Sequence, residues 1–146
     1  MPDKKTHDAA KRDKRQGKSA STQAGEYVHE EIEHVRHGAH GAKNAKQAIA
    51  IGLSKARRDG VKVKTSSTAS AATKKKAAQD SAKAGSRAKV SATRSRATKT
   101  ALKKEGTRAA SKKALSSHAK KAASKRTASS RSASAKKAAR TRARSS

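Results

Sequence analysis

The chain has 146 residues, with 39 Lys+Arg against 10 Asp+Glu and a formal net charge of +29. Tyr27 is its one aromatic residue, it has no Phe, Trp or Cys, and most of its apolar residues are alanine. That composition excludes a large core running the length of the chain, a disulfide framework, thiolate catalysis and Cys-type zinc sites, and it selects polyanionic partners.

Residues 1–20 open with MPDKKTHDAAKRDKR, a charged arm with no apolar run behind it. No signal peptide is expected there. Nowhere do 18 apolar residues follow one another, so the sequence predicts no transmembrane helix.

Periodicity begins in residues 21–64. Ala24, Val28, Ile32 and Val35 recur at intervals of four, four and three, placing them on one stripe of a helix over about 23–37, with Gly38 as its stop. Asn44-Ala45-Lys46-Gln47 has the N-x-x-Q form of a capping box. It opens a second helix over about 45–59, whose apolar positions Ala45, Ile49, Leu53 and Ala56 repeat the same spacing. Arg57 and Arg58 suit that helix's negative end and Gly60 its C-terminal cap, while Gly52 would permit close approach to the first helix. The predicted product is a short helical hairpin. Its large apolar side chains are few, so a homodimer through the hairpin or a docked partner would supply the missing burial.

The run HEEIEHVRHGAH, residues 29–40, tests for metal chemistry. HEEIEH resembles the zinc-protease pattern HExxH, but His29 and His34 are five residues apart, about 140° around a helix, and cannot face one ion together. His34, His37 and His40 are better spaced, yet the stop at Gly38 falls between them. No metal site, no cofactor and no catalytic constellation is expected. A His/Glu metal-binding module is the weakest of the functional alternatives. Glu30, Glu31 and Glu33 read as helix-surface charge, or as an acidic face that holds the basic tail.

Composition changes at residue 65. Residues 1–64 hold 15 Lys+Arg and 8 Asp+Glu, a net of +7; residues 65–146 hold 24 and 2, a net of +22. Val90, Leu102 and Leu115 are the only large aliphatic residues in the second part, so a disordered, low-complexity tail is expected, gaining helix when phosphates remove its self-repulsion. Its cations are separated by Ala, Ser, Thr and Gly, a texture that follows a phosphate backbone without reading bases. The candidate contacts are Lys74, Lys75 and Lys76; Arg87, Lys89, Arg94, Arg96 and Lys99; Lys103, Lys104, Lys112 and Lys113; Lys120, Lys121, Lys125 and Arg126; and Lys136, Lys137, Arg140, Arg142 and Arg144. Lys55, Arg57 and Arg58 form a secondary set. The tail has no aromatic platform for stacking single-stranded bases and no apolar anchors for a membrane. Double-stranded DNA is therefore the first partner and structured RNA, such as ribosomal RNA, the second.

The wording of residues 21–62, S-T-Q-A-G-E, E-E-I-E-H, H-G-A and K-Q-A-I-A-I-G-L-S-K-A-R, resembles a family of small basic bacterial proteins built around a domain of unknown function. That resemblance implies no activity. The tail is similar in its Lys/Ala/Ser texture to linker-histone tails and bacterial histone-like proteins, with KKAA at 75–78, 120–123 and 136–139. Pro2 is the only proline, so the S/T-P-K-K repeat of such tails is absent. These readings together describe an all-α, non-enzymatic, histone-like protein that compacts DNA in the nucleoid of the cytoplasm, with an arm at 1–20, a hairpin at 21–64 and a tail at 65–146.

Overall fold

A computed structural model describes residues 2–86 and 91–145. Within them lie α1 (Lys4–Arg15), α2 (Ala20–Arg36), α3 (Ala45–Arg58), α4 (Ala71–Ala82), α5 (Ala92–Lys104), a single 3-10 turn (Arg108–Ala110), α6 (Lys112–Ser124) and α7 (Ala128–Ser145). The described residues contain no strand. The chain divides into two compact units, Met1–Ser111 and Lys112–Ser146.

The first unit is built on α2 against α3. Ser19 caps α2, its Oγ accepting from Thr22 N at 3.3 Å, so the helix starts three residues before the apolar periodicity suggests. Asn44 caps α3 by accepting from Gln47 N at 2.9 Å. The Gln47 side chain returns to Lys43 N at 2.7 Å, one residue short of the partner a capping box requires. Small residues face the interface: Ala45, Ala48, Gly52 and Ala56 are the buried apolar positions of α3, and Ile49 and Leu53 lie half-buried beside them. A methyl group on Gly52 would stand 2.7 Å from Val28 Cα and 3.0 Å from Tyr27 O, so the two backbones meet where a side chain has no room. This close approach explains why the line of burial runs through Ala48 and Gly52 rather than through the larger neighbours.

Three helices end in the same way. After α1, α2 and α3 the glycines Gly17, Gly38 and Gly60 take φ of +68°, +73° and +89°, and the next residue's N–H reaches back to Asp13 O, His34 O and Ala56 O at 3.0, 2.9 and 3.0 Å. These are Schellman ends, which satisfy carbonyls the helix leaves open. The residues read as an arm thus contain a helix, and α1 packs on α2 through Ala10. The buried cluster is Ala10, Ala24, Tyr27, Ala56 and Val61, with Leu53 and Val63 against it. Tyr27 donates its hydroxyl to Asp59, and His7 lies 3.5 Å from the same carboxylate. Burial first, then that carboxylate, raises the phenol far above its ordinary pKa.

The expectation of a disordered tail is overturned in the described residues, which place four helices beyond residue 65. Local chemistry accounts for them without a large core. Alanine, lysine and arginine are good helix formers, and Ser70, Ser91 and Thr127 each accept the backbone N–H three residues on, at 3.2, 3.4 and 3.2 Å. In the first unit α4 also has a tertiary anchor. Asp80 is buried and takes Ser54 Oγ at 2.6 Å, Lys76 Nζ at 2.8 Å and Arg58 Nη2 at 2.9 Å, tying α4 to α3. The end of α5 holds the α2–α3 loop, with Gly41 N donating to Leu102 O at 2.9 Å and Ala42 N to Gly106 O at 3.2 Å. Arg36 Nε donates to Ala110 O at 3.0 Å, and Ala109 and Ala110 are buried. No described helix is long and apolar enough to cross a membrane.

Candidate nucleic-acid interface

The cations of the tail stand on helices, and most are exposed. Lys74 and Lys75 face solvent on α4, whereas Lys76 is held by Asp80. On α5, Arg94, Arg96, Lys99, Lys103 and Lys104 are exposed, and Arg96, Lys99 and Lys103 fall within about 60° of one another at 100° per residue. Arg87 and Lys89 lie outside the described residues.

The second unit is more one-sided. It holds 12 Lys+Arg and no Asp or Glu, whereas residues 1–111 hold 27 and 10. Lys112, Lys113, Lys120 and Lys121 on α6, Lys125 and Arg126 after it, and Lys136, Lys137, Arg140, Arg142 and Arg144 on α7 are all exposed. Arg131, missing from the sequence reading because it stands alone among Ser and Ala, is exposed on α7 too. Lys137, Arg140 and Arg144 share a stripe about 10 Å long at intervals of three and four. Arg126 donates to Ser130 O at 2.9 Å and to the Ser134 hydroxyl, fixing the start of α7.

The secondary set serves the fold. Lys55 Nζ lies 2.7 Å from Glu31 Oε2 and 3.4 Å from Glu30 Oε1. Arg57 is buried and donates to Val63 O at 3.4 Å, and Arg58 pairs with Asp80. The reading of Glu30 and Glu31 as surface charge is likewise overturned, because both are buried. They sit on the side of α2 that meets Lys55 of α3 and the start of α1, where Asp3 N donates to Glu30 Oε2 at 3.1 Å. Burial raises the Glu30 pKa, but hydrogen bonds from Thr6 and Asp3 together with Lys55 outweigh it, leaving the carboxyl below its ordinary value. Asp80 is lowered in the same manner, burial being outweighed by Lys76, Ser54 and Arg58. Glu33 alone of the three glutamates is half-exposed, 2.7 Å from Arg36 Nη1.

The histidines separate into two kinds. His37 has its side chain 77 % exposed and its Nδ1 2.8 Å from Glu33 O; His29 is also exposed. His34 and His40 converge, with ring centroids 6.3 Å apart, and His40 Nε2 is 3.2 Å from Glu31 Oε1. Spacing in the sequence groups these two with His37, but α2 ends at Arg36 and it is the loop after Gly38 that brings His40 back.

Residues 8–66 match the model of a family of unknown function, DUF6496. The match spans the end of the N-terminal arm, the α2–α3 pair and the segment that follows it, and stops short of the helices that carry most of the positive excess. No curated protein and no solved structure is significantly similar to the chain.

Proposed function

We propose that this chain is a non-enzymatic, histone-like protein that binds and compacts double-stranded DNA without regard to sequence, acting in the nucleoid by neutralising phosphates. The supporting observation is the run 112–146, whose sequence holds 12 Lys+Arg and no Asp or Glu, with ten of these cations exposed on α6 and α7 and Lys125 and Arg126 exposed between the two helices. Helices so charged repel themselves, and a phosphate backbone supplies the counter-charge that the sequence withholds. Nothing aromatic stands among these cations, so the contacts carry no base recognition. Residues 1–111 contribute a folded base with further cations on α4 and α5.

Duplex binding by the full chain, measured across salt concentrations, tests the reading. Neutralising about 10 phosphates gives a slope of log K against log salt near −9, the same for unrelated sequences. A slope of about −3, or a strong preference among sequences, sinks the proposal. Crosslinking in cells followed by sequencing of bound DNA and RNA decides the partner: recovery of mainly ribosomal RNA would put structured RNA, bound by the same electrostatics, in place of DNA.

A further inference from the structure

The convergence of Glu31, His34 and His40 is not used by phosphate binding. Glu31 and His34 are one turn apart on α2, and their ligand atoms and that of His40 all lie within 4.8 Å of one another. The loop that carries His40 is held in place: Gly41 N donates to Leu102 O, and a methyl group on Gly41 would stand 1.8 Å from Glu105 O. Glu31 is fully buried, and neither of its oxygens accepts a hydrogen bond. Lys55 Nζ and His40 Nε2 approach them at 2.7 and 3.2 Å, close enough for charge attraction but not aligned as hydrogen bonds.

The His40 ring adds an independent indication. Its Nδ1 lies 3.1 Å from Gly41 O, and a carbonyl only accepts, so the hydrogen is on Nδ1. In the neutral ring Nε2 then turns its lone pair toward the Glu31 carboxylate. A metal ion, like a proton on Nε2, satisfies both acceptors at once. A ring N–H held by a backbone carbonyl while the other nitrogen points into the site is the usual support of a metal-binding histidine.

We propose that Glu31, His34 and His40 bind one divalent transition-metal ion of the zinc class. Two imidazoles and a carboxylate suit zinc better than magnesium, which prefers an all-oxygen shell. A tetrahedral ion with bonds of about 2 Å draws its ligands to roughly 3.3 Å apart; His34, only partly buried, moves to meet it. Lys55 gives up Glu31 and keeps Glu30, its second partner. His40 also lines a shallow cleft with Gly38, Lys103 and Glu105. A second cluster, Asp3, Glu30 and His34, shares His34 but offers a carboxylate already satisfied by Asp3 N and Lys55. This site contradicts the expectation from helix spacing because the fold exchanges His37 for Glu31. The ion would pin the α2–α3 loop to α2.

The test titrates zinc alone into full-length, untagged, chelator-stripped protein by calorimetry. One equivalent is expected, with no competition from magnesium, and cobalt in its place gives the intense visible bands of a four-coordinate ion. His40→Gln and His34→Gln each weaken zinc binding at least 10-fold with unchanged circular dichroism, while His37→Gln leaves it within 2-fold. Lys55→Met removes the ammonium that zinc displaces and tightens binding in a folded variant. Equal affinity across the three histidine variants, competition by magnesium, or absence of a binding isotherm overturns the site; so does looser binding by folded Lys55→Met.

Discussion

Lysines and arginines of the same kind meet different fates in two regions of this molecule. In α3 and α4, Lys55, Arg58 and Lys76 close on Glu30, Glu31 and Asp80 and become part of the packing. In α6 and α7 a comparable density of cations stands in a segment whose sequence has no Asp or Glu, and stays exposed. The difference lies in where the few carboxylates are placed, since the cations alone look alike in both. A buried carboxylate turns a neighbouring cation into a structural part, and a segment without one presents its charge to whatever anion arrives.

The contrast is broken most strongly by size. Gly52→Leu drives a side chain into the Val28 backbone, which cannot yield as a flexible side chain would. A loss of about 3 kcal/mol or more in urea unfolding is expected, at the upper end for overpacking. Ala138→Leu, on exposed α7, changes stability by less than about 0.5 kcal/mol. Comparable effects at the two sites would mean that the regions are packed alike.

Acid sharpens the contrast next. Folding lowers the carboxyls of Asp80 and Glu30 below their ordinary values of 3.8 and 4.5. The stability they contribute is therefore fully present above those values and is lost as pH falls through the lower, folded ones. Melting temperature should hold from neutral pH to about 5 and drop below about pH 4. Asp80→Ala frees α4 from α3 at a cost of about 1–2 kcal/mol, reduced because Arg58 and Lys76 regain water. It also flattens the acid limb, and an acid limb as steep as that of the unaltered protein would show that Asp80 is not the anchor.

These residues mark what the sequence discloses and what it hides. Gly38, Gly60 and Asn44 are legible because each is a local signal acting on its own helix end. The all-α class follows from the same signals. Glu30 and Glu31 mislead because apolar periodicity says nothing of a charged residue whose counter-charge comes from another helix. The helices beyond residue 65 lack an apolar stripe, and weight given to that absence hides the caps Ser70, Ser91 and Thr127 and the pairing of Lys76 with Asp80 one turn on. The convergence of His34 with His40 depends on a clamp from α5, some 60 residues away, which no local pattern encodes.

The smallest effect on stability should be the most informative about function. Lys137, Arg140 and Arg144 share one stripe of α7, and the sequence of their unit holds no Asp or Glu. Their joint replacement by Gln removes repulsion along the stripe and breaks no ion pair among the described residues, so unfolding free energy should move by no more than about 0.5 kcal/mol. If each side chain holds one phosphate, the salt slope becomes shallower by about 0.9 per residue, or roughly 3 in all, equally for every duplex sequence. The same replacement at Lys55, Arg58 and Lys76 reverses the pattern, lowering stability while leaving the slope nearly intact. A triple variant of α7 that unfolds early yet keeps its slope would show that its cations belong to the packing, and the distinction between the two regions would fall with it.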